Sequence, residues 1–354
     1  MKCTNNTNPT KKKKLSKKEL HRKKIRKTLF LSIFLIILFL SGILGLVLLK
    51  NHKTAYMPTP FRLSVEVFGQ TTGENTLVAE GLAADLCVGA GDTPMDGIEA
   101  QGDERAALFD IQNKKLLFSK SLYEKSYPAS ITKIMTALVA MEHTDMEQTV
   151  TIAAEDVTLE ADSQVCGLAA GDQITMDQLF HALLVYSAND AAMAIARTVG
   201  GGSVDTFVQM MNEEAQRLGM TGSHFVNPHG LHNEDHYTTV YDIYLMLNEA
   251  MKHQEFTDIT QLSNCVITYV SSDGTERQKW LDATDQYLTG ESSPPKGVTI
   301  LGGKTGTTAK AGACLALMVQ NNYGEPFVSI VLNAENKPIL YERMNQLLES
   351  MNRS

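Results

Sequence analysis

Cysteine, tryptophan and proline are scarce in this chain: five, one and ten residues among 354. With so few cysteines in so long a chain, a small disulfide-stapled fold is excluded. Cys3 lies in a basic leading stretch, which leaves Cys87, Cys166, Cys265 and Cys314. Four cysteines permit three pairings, and their spacing does not choose among them. A domain this large needs no covalent staples, so the thiols are expected to be free and mostly buried. Nor is there a compositional sign of repeats, collagen or bulk disorder. A globular body of one large domain or two ordinary ones remains.

Two stretches lack charge of one sign or of both. Residues 1–28 hold 12 Lys/Arg and a single acid, Glu19, which leaves −19 for the rest of a chain whose total is −8. A body that acidic would be repelled by phosphates, so nucleic acid is not an expected partner. Residues 29–49, LFLSIFLIILFLSGILGLVLL, carry no charge at all. As an α-helix they would cover roughly 30 Å, the hydrocarbon thickness of a bilayer. A cleaved signal peptide would have a shorter apolar core ending in small residues, whereas Asn51–Tyr56 is a poor cleavage site. The expectation is a single-pass membrane anchor, with residues 1–28 as a cytoplasmic tail and everything after residue 49 outside.

Residues 50–103 read as a stalk and an uncertain segment. Pro58 and Pro60 interrupt its start, Phe61–Phe68 alternates like a short strand, and 88–103 is rich in turn formers. From 104 onward the pattern is that of a folded domain. Ala106–Ile111 and Lys115–Phe118 predict a hairpin, and apolar spacing predicts a helix starting at Ser130. Helices are predicted over Met176–Val185, Ala188–Val199, Val204–Leu218 and Thr239–Met251, a helical subdomain of about 145–250. Strands follow at Val298–Gly303, Ala313–Val319 and Phe327–Ala334, with a closing helix over Leu340–Met351. A sheet built from both chain ends around a helical insertion is an α+β plan.

Three short motifs fall in order along this plan: Ser130-Ile-Thr-Lys133, Ser187-Ala-Asn189 and Lys304-Thr-Gly-Thr307. Residues three apart on a helix share a face, so the Lys133 amine can reach the Ser130 hydroxyl. A serine hydroxyl is a weak nucleophile until a base takes its proton. Lysine can be that base only if burial or a second cation lowers its pKa, and Lys304 is the candidate cation. Singly the motifs are weak, because Ser and Lys at i, i+3 are usually plain helix surface. Jointly, at a helix start, an inter-helix loop and a strand, they make a set known for penicillin-binding proteins and serine β-lactamases.

The stretches Pro128–Val139, Tyr186–Ala192, Phe225–Leu231 and Gly303–Gly312 resemble the serine D-alanyl-D-alanine carboxypeptidases, the low-molecular-mass penicillin-binding proteins. The resemblance runs from about Arg105 to the C-terminus. It implies an antiparallel sheet flanked by helices, with an all-helical subdomain and the site at their junction. It also implies Ser130 as acylated nucleophile, Lys133 as its base and Ser187 as proton relay to the leaving D-alanine. Asn189 would contact substrate, Lys304 and Thr305 would hold its carboxylate, Gly306 would let the peptide lie close, and the N–H groups of Ser130 and Thr307 would form an oxyanion hole. Peptidoglycan stem peptides would be the substrates and β-lactams covalent inhibitors, with no cofactor and no metal. The sequence departs from the family where Lys279–Gln286 replaces an Asn-rich stretch, and only about 45 residues follow Thr307 where many members carry a second domain.

Rival readings are a serine β-lactamase, a non-catalytic β-lactam or muropeptide sensor, and a wall scaffold. No Glu-x-x-Leu-Asn pattern lies between Asn189 and Lys304 to drive rapid deacylation. His224, His229, His232 and His236 cluster beside Glu234 and Asp235, but they follow a loop sequence and lack the H-E-x-x-H spacing of a zinc helix. Structural or substrate-loop roles are expected for them.

Overall fold

The computed structural model describes residues 85–98, 102–160 and 163–352. The expected anchor at 29–49, the basic tail and the strand at Phe61–Phe68 lie outside the described residues. Among those described, no helix is long and apolar enough to cross a membrane.

A five-stranded antiparallel sheet forms the frame, in the order β2-β1-β9-β8-β7. Its first two strands, β1 (Arg105–Asp110) and β2 (Lys115–Lys120), come from the start of the body. The others, β7 (Thr299–Thr308), β8 (Gly312–Gln320) and β9 (Pro326–Ala334), come from its end. Alternation along the strands divides the core into two layers. Ala106, Leu108, Leu315, Leu317 and Val319 face helix α8 (Lys337–Ser350), meeting Leu340, Met344, Leu347 and Leu348. Ala107, Phe109, Ala316, Met318 and Val328 face the helical side. Both faces are thus covered, which is why β8 reads as a nearly unbroken apolar run. A buried Arg343–Glu104 pair, 2.8 Å apart, ties α8 to the entry of β1.

The helical side is built around α1 (Lys133–His143), whose residues 133–140 are all buried. Around it lie α2 (Met176–Leu184), α3 (Asn189–Val199), α4 (Val204–Arg217), α5 (Val240–Ala250) and α6 (Gln254–Thr260), and a short α7 (Gln286–Thr289) precedes β7. Side-chain oxygens close the starts of α2, α4 and α5, where Thr175, Ser203 and Thr239 accept from the backbone N–H three residues on. The predicted bounds of α2 to α5 stand within one residue of the observed ones, whereas α1 begins three residues later than expected, at Lys133, and α8 three residues earlier, at Lys337.

Two expectations change. The subdomain is not wholly helical: β3 (Thr149–Thr151) and β4 (Gln173–Thr175) join β5 (Asn264–Val270) and β6 (Glu276–Asp282) in a second sheet, β3-β4-β5-β6. β3 and β4 have three residues each, too few to show a period. Described residues N-terminal to 104, within 85–98, also pack onto this compact unit. Asp92 accepts from the backbone N–H groups of Ser121 and Leu122, and Thr93 bridges Ser119. Cys87 donates its N–H to Tyr244 and accepts from Tyr241.

Candidate active site

Ser130 sits in a 3-10 turn, Ala129–Thr132, that runs directly into α1 at Lys133. This turn replaces the first α-turn expected there. Ala129, just before the serine, has φ 49°, a left-handed conformation that is uncommon outside glycine and clusters at functional sites. The strained turn is held from three sides. Thr132 Oγ1 donates to the Ala129 carbonyl at 2.8 Å and meets His236 Nε2 at 2.8 Å. His236 Nδ1 accepts from the Val226 N–H, so the proton belongs on Nε2, pointing at Thr132. Burial pushes the His236 imidazole down to about 3, which keeps it neutral.

The second clamp is the loop Asn227-Pro-His-Gly-Leu231. Asn227 folds it by accepting from the Gly230 N–H and donating to the Leu231 carbonyl. Gly230 has φ 86°, and a Cβ there would stand 1.9 Å from the Ala129 carbonyl oxygen. The third is β7, an edge strand whose Gly306 lies so close that a Cβ would be 2.9 Å from the Pro128 oxygen and 3.0 Å from the Ser130 nitrogen.

Lys133 is completely buried, and its amine has three neighbours. They are Ser130 Oγ at 2.9 Å, Asn189 Oδ1 at 2.7 Å and the His229 carbonyl at 2.8 Å. Two of these can only accept. A neutral amine has two N–H groups for them and one lone pair, which then faces the serine hydroxyl. Burial lowers the Lys133 pKa far below the usual lysine value, the nearby Lys304 cation lowers it further, and the Asp190 carboxylate opposes both. Asp190 is itself buried and gathers the N–H groups of Cys166, Gly167 and Leu168, which pins their loop against the start of α3.

Lys304 is also fully buried, and its pKa falls to about 7 through burial, with Asp285 pulling the other way. Its amine donates to the carbonyl of its neighbour Thr305 at 3.0 Å. Thr305 Oγ1 lies 2.5 Å from Thr284 Oγ1, while Thr307 is exposed on the same strand. Ser187 precedes α3 with φ 69° and is nearly buried; its hydroxyl makes no hydrogen bond among the described residues. Of the eight predicted residues, Ser130, Lys133 and Asn189 are directly bonded and Gly306 covers the serine. Lys304 acts on Lys133 through charge alone.

A sequence profile of D-alanyl-D-alanine carboxypeptidases matches residues 94–336. The chain belongs to this family. The D-alanyl-D-alanine carboxypeptidase DacF of Bacillus subtilis is 33% identical over 214 residues, which cover 59% of this chain and 52% of that one. DacC of Escherichia coli is 30% identical over 261 residues, 70% of this chain and 60% of that one. The chain thus spans between half and two thirds of these relatives' lengths. Among solved structures, the DD-transpeptidase of Streptomyces K15 superposes with TM-score 0.66 at 25% identity, covering 74% of this chain and all of that one.

Within this carboxypeptidase family chain, sequence reasoning missed the clamps around the turn. The His229 carbonyl, Thr132, Thr136, His236 and Asp190 had no motif of their own. Thr132 and Asp190 lie inside Pro128–Val139 and Tyr186–Ala192, and Asn227-Pro-His-Gly-Leu231 carries the resemblance without revealing a role. The structure makes it the loop whose Pro228 and His229 carbonyls accept from Thr136 and Lys133. The four histidines point in different directions: His232 stands edge-on to Tyr127, and His224 meets the Asp235 carbonyl. Among the described residues, no three His, Cys, Asp or Glu side chains converge on a common metal position. Cys87, Cys166, Cys265 and Cys314 are free and buried, as expected.

Proposed function

We propose that this protein is a serine DD-carboxypeptidase that removes the terminal D-alanine from peptidoglycan stem peptides through a Ser130 acyl-enzyme. The observation that carries the reading is the three-way coordination of the Lys133 amine. Its lone pair faces Ser130, so Ser130 Oγ attacks the penultimate D-alanine carbonyl carbon as its proton passes to Lys133. The ammonium so formed has all three N–H groups already paired, and no reorganisation is needed as charge develops. The oxyanion takes hydrogen bonds from the backbone N–H groups of Ser130 and Thr307. As the C–N bond breaks, Ser187 relays a proton to the departing amine. Water then attacks the ester, giving its proton to Lys133, and the serine is restored.

Substrate binding follows from the edge strand. β7 offers unpaired backbone groups along which an extended peptide can lie, with Gly306 leaving room. Lys304 and Thr305 hold the terminal carboxylate and Asn189 keeps Lys133 in line. The acceptor of the acyl group is either water or an amine. The second reading, transpeptidation, is favoured by the Streptomyces K15 relative, which is named both as a carboxypeptidase and as a DD-transpeptidase.

Intact mass after incubation with a penicillin tests the proposal. One long-lived adduct per chain on Ser130, absent in Ser130→Ala, is expected together with D-alanine release from a D-Ala–D-Ala peptide. Rapid turnover of a chromogenic cephalosporin without an adduct would make it a β-lactamase; an adduct without D-alanine release would favour a sensor or scaffold. The charge step at 1–28 and the uncharged run 29–49 support a membrane anchor with the catalytic body outside. Protease added to wall-stripped cells should digest the body and spare the tail; a mature N-terminus near residue 56 would refute the anchor.

A further inference from the structure

Outside the Ser130–Lys133–Lys304 constellation, one cavity of about 270 Å3 gathers like charges. It is lined by Arg105, Lys125 and Lys310, with Ser126, Tyr127 and a single acid, Glu234. Its place in the fold is informative. Arg105 opens β1 opposite Leu332 of β9, and Lys310 lies in the turn that follows the Thr307–Thr308 end of β7. Ser126 and Tyr127 lead into Pro128 and so into the Ser130 turn; the Ser126 backbone is fixed by two hydrogen bonds to Thr238. The cavity therefore adjoins the approach to Ser130.

Isolated surface cations are ordinarily solvated and need no ligand. Here three converge on one concavity of a chain that carries −19 after residue 28. Much of their donor capacity is also unused among the described residues. The Arg105 guanidinium has five N–H groups, yet among the described residues its one hydrogen bond goes to the Asp103 carbonyl at 2.8 Å. Among the described residues its Nε is buried without an acceptor, and its ion pair is a long one, 3.8 Å to the exposed Glu124 carboxylate. The Lys125 amine rests 3.7 Å over the Tyr237 ring, and Lys310 has no ion-pair partner among the described residues. A fork of donors flanked by two ammonium groups is complementary to a carboxylate.

We infer that this pocket is a second carboxylate subsite, taking an anionic side chain of the bound peptide, distinct from the terminal carboxylate assigned to Lys304. The inference rests on the peptidase reading for the identity of its ligand, and it makes acidic peptides the preferred substrate class. Discrimination would be electrostatic and would weaken as salt rises.

Titration calorimetry on the full chain carrying Ser130→Ala, which binds without turnover, tests this. Two peptides of equal length ending in D-Ala–D-Ala are compared, one with glutamate and one with glutamine at the same upstream position. The glutamate peptide should bind about tenfold more tightly, as expected for charge-assisted hydrogen bonds. Adding Lys125→Gln and Lys310→Gln should bring the two affinities together; both lysines are exposed, so the fold is kept, and the melting temperature checks this. Equal binding of both peptides to the parent, or a preference that survives the double substitution, overturns the inference. So does inorganic phosphate binding there as tightly as the glutamate peptide, which would make it a free-anion pocket. The penicillin adduct, measured in parallel on protein with Ser130 intact, separates the two readings. Its absence sinks the peptidase assignment, while the affinity ratio alone decides the subsite.

Discussion

Gly230→Ala tests whether the Asn-Pro-His-Gly loop is what holds the nucleophile's turn. Two costs are combined at this position. With φ at 86°, any side chain sits in the left-handed region, which costs about 1–2 kcal/mol. The new methyl would also meet the Ala129 carbonyl oxygen at 1.9 Å, its carbon at 2.4 Å and Thr132 Oγ1 at 2.8 Å. Two of these are backbone atoms of the Ser130 turn, so relief requires the loop or the turn to move, at about 1–3 kcal/mol more. Gly274→Ala carries the first cost alone, so the difference between the two variants isolates the second. Gly274 has φ 82° and nothing within 4 Å of a Cβ, so only the backbone penalty applies. Thermal unfolding should place Gly230→Ala roughly 2–12 °C below Gly274→Ala, taking about 2–4 °C per kcal/mol for a domain of this size. Stopped-flow acylation by a penicillin gives the functional half. Moving the loop withdraws the His229 carbonyl from Lys133, so Gly230→Ala should acylate at least tenfold more slowly while Gly274→Ala is unchanged. Equal melting temperatures and equal acylation rates for the two variants would refute the clamp.

The charges around Lys133 should act in opposite senses on the pH dependence of acylation. The neutral amine is the active form, so acylation rises with pH through the lowered Lys133 pKa; Lys304→Met removes a cation that lowers it and should move this rise to higher pH. Asp190→Asn removes the anion that raises it and should move the rise to lower pH; shifts in the same direction for both would contradict the assignment. Asp190→Asn should also destabilise by about 2–5 kcal/mol in denaturant unfolding, because an amide cannot accept all the N–H groups now bound to the carboxylate. Lys133→Met should leave Ser130 protonated and reduce penicillin acylation by at least a thousandfold, with normal rates sinking the base assignment.

Much of this architecture is legible in the sequence, for identifiable reasons. The helices at 176–184, 189–199 and 204–217 are amphipathic over two to four turns, and β1, β8 and β9 have apolar faces long enough to read. Apolar pattern carries β7 only as far as Gly303, because TILGGKTGTT lacks alternation, and the strand beneath Lys304–Thr307 is legible only through the motif; its run to Thr308 is set by pairing with β8, a tertiary effect. The hairpin of β5 and β6 is not legible because its outer face mixes apolar and polar residues, Val266 and Trp280 beside Thr268 and Gln278. At the site, the chemistry was visible as motifs, since Ser130, Lys133 and Asn189 are side chains doing side-chain work. Its supports were not, because several are backbone carbonyls, and a carbonyl at His229 leaves no mark on residue identity. Asp190 and His236 act across 24 and 104 residues of chain, distances over which no local pattern extends.

The four free thiols turn the body into its own unfolding recorder. Cys87 lies in the entry segment, Cys166 in the loop held by Asp190, Cys265 on β5 and Cys314 on β8 of the main sheet. Burial pushes every one of them up, Cys265 and Cys314 to about 11, so little thiolate exists for a labelling reagent to find in the closed state. Modification must then wait for each element to open. Labelling times at the four positions rank the order in which entry segment, site loop, second sheet and main sheet come apart. They would show directly whether the loop behind Lys133 can loosen while the sheet beneath it stays shut.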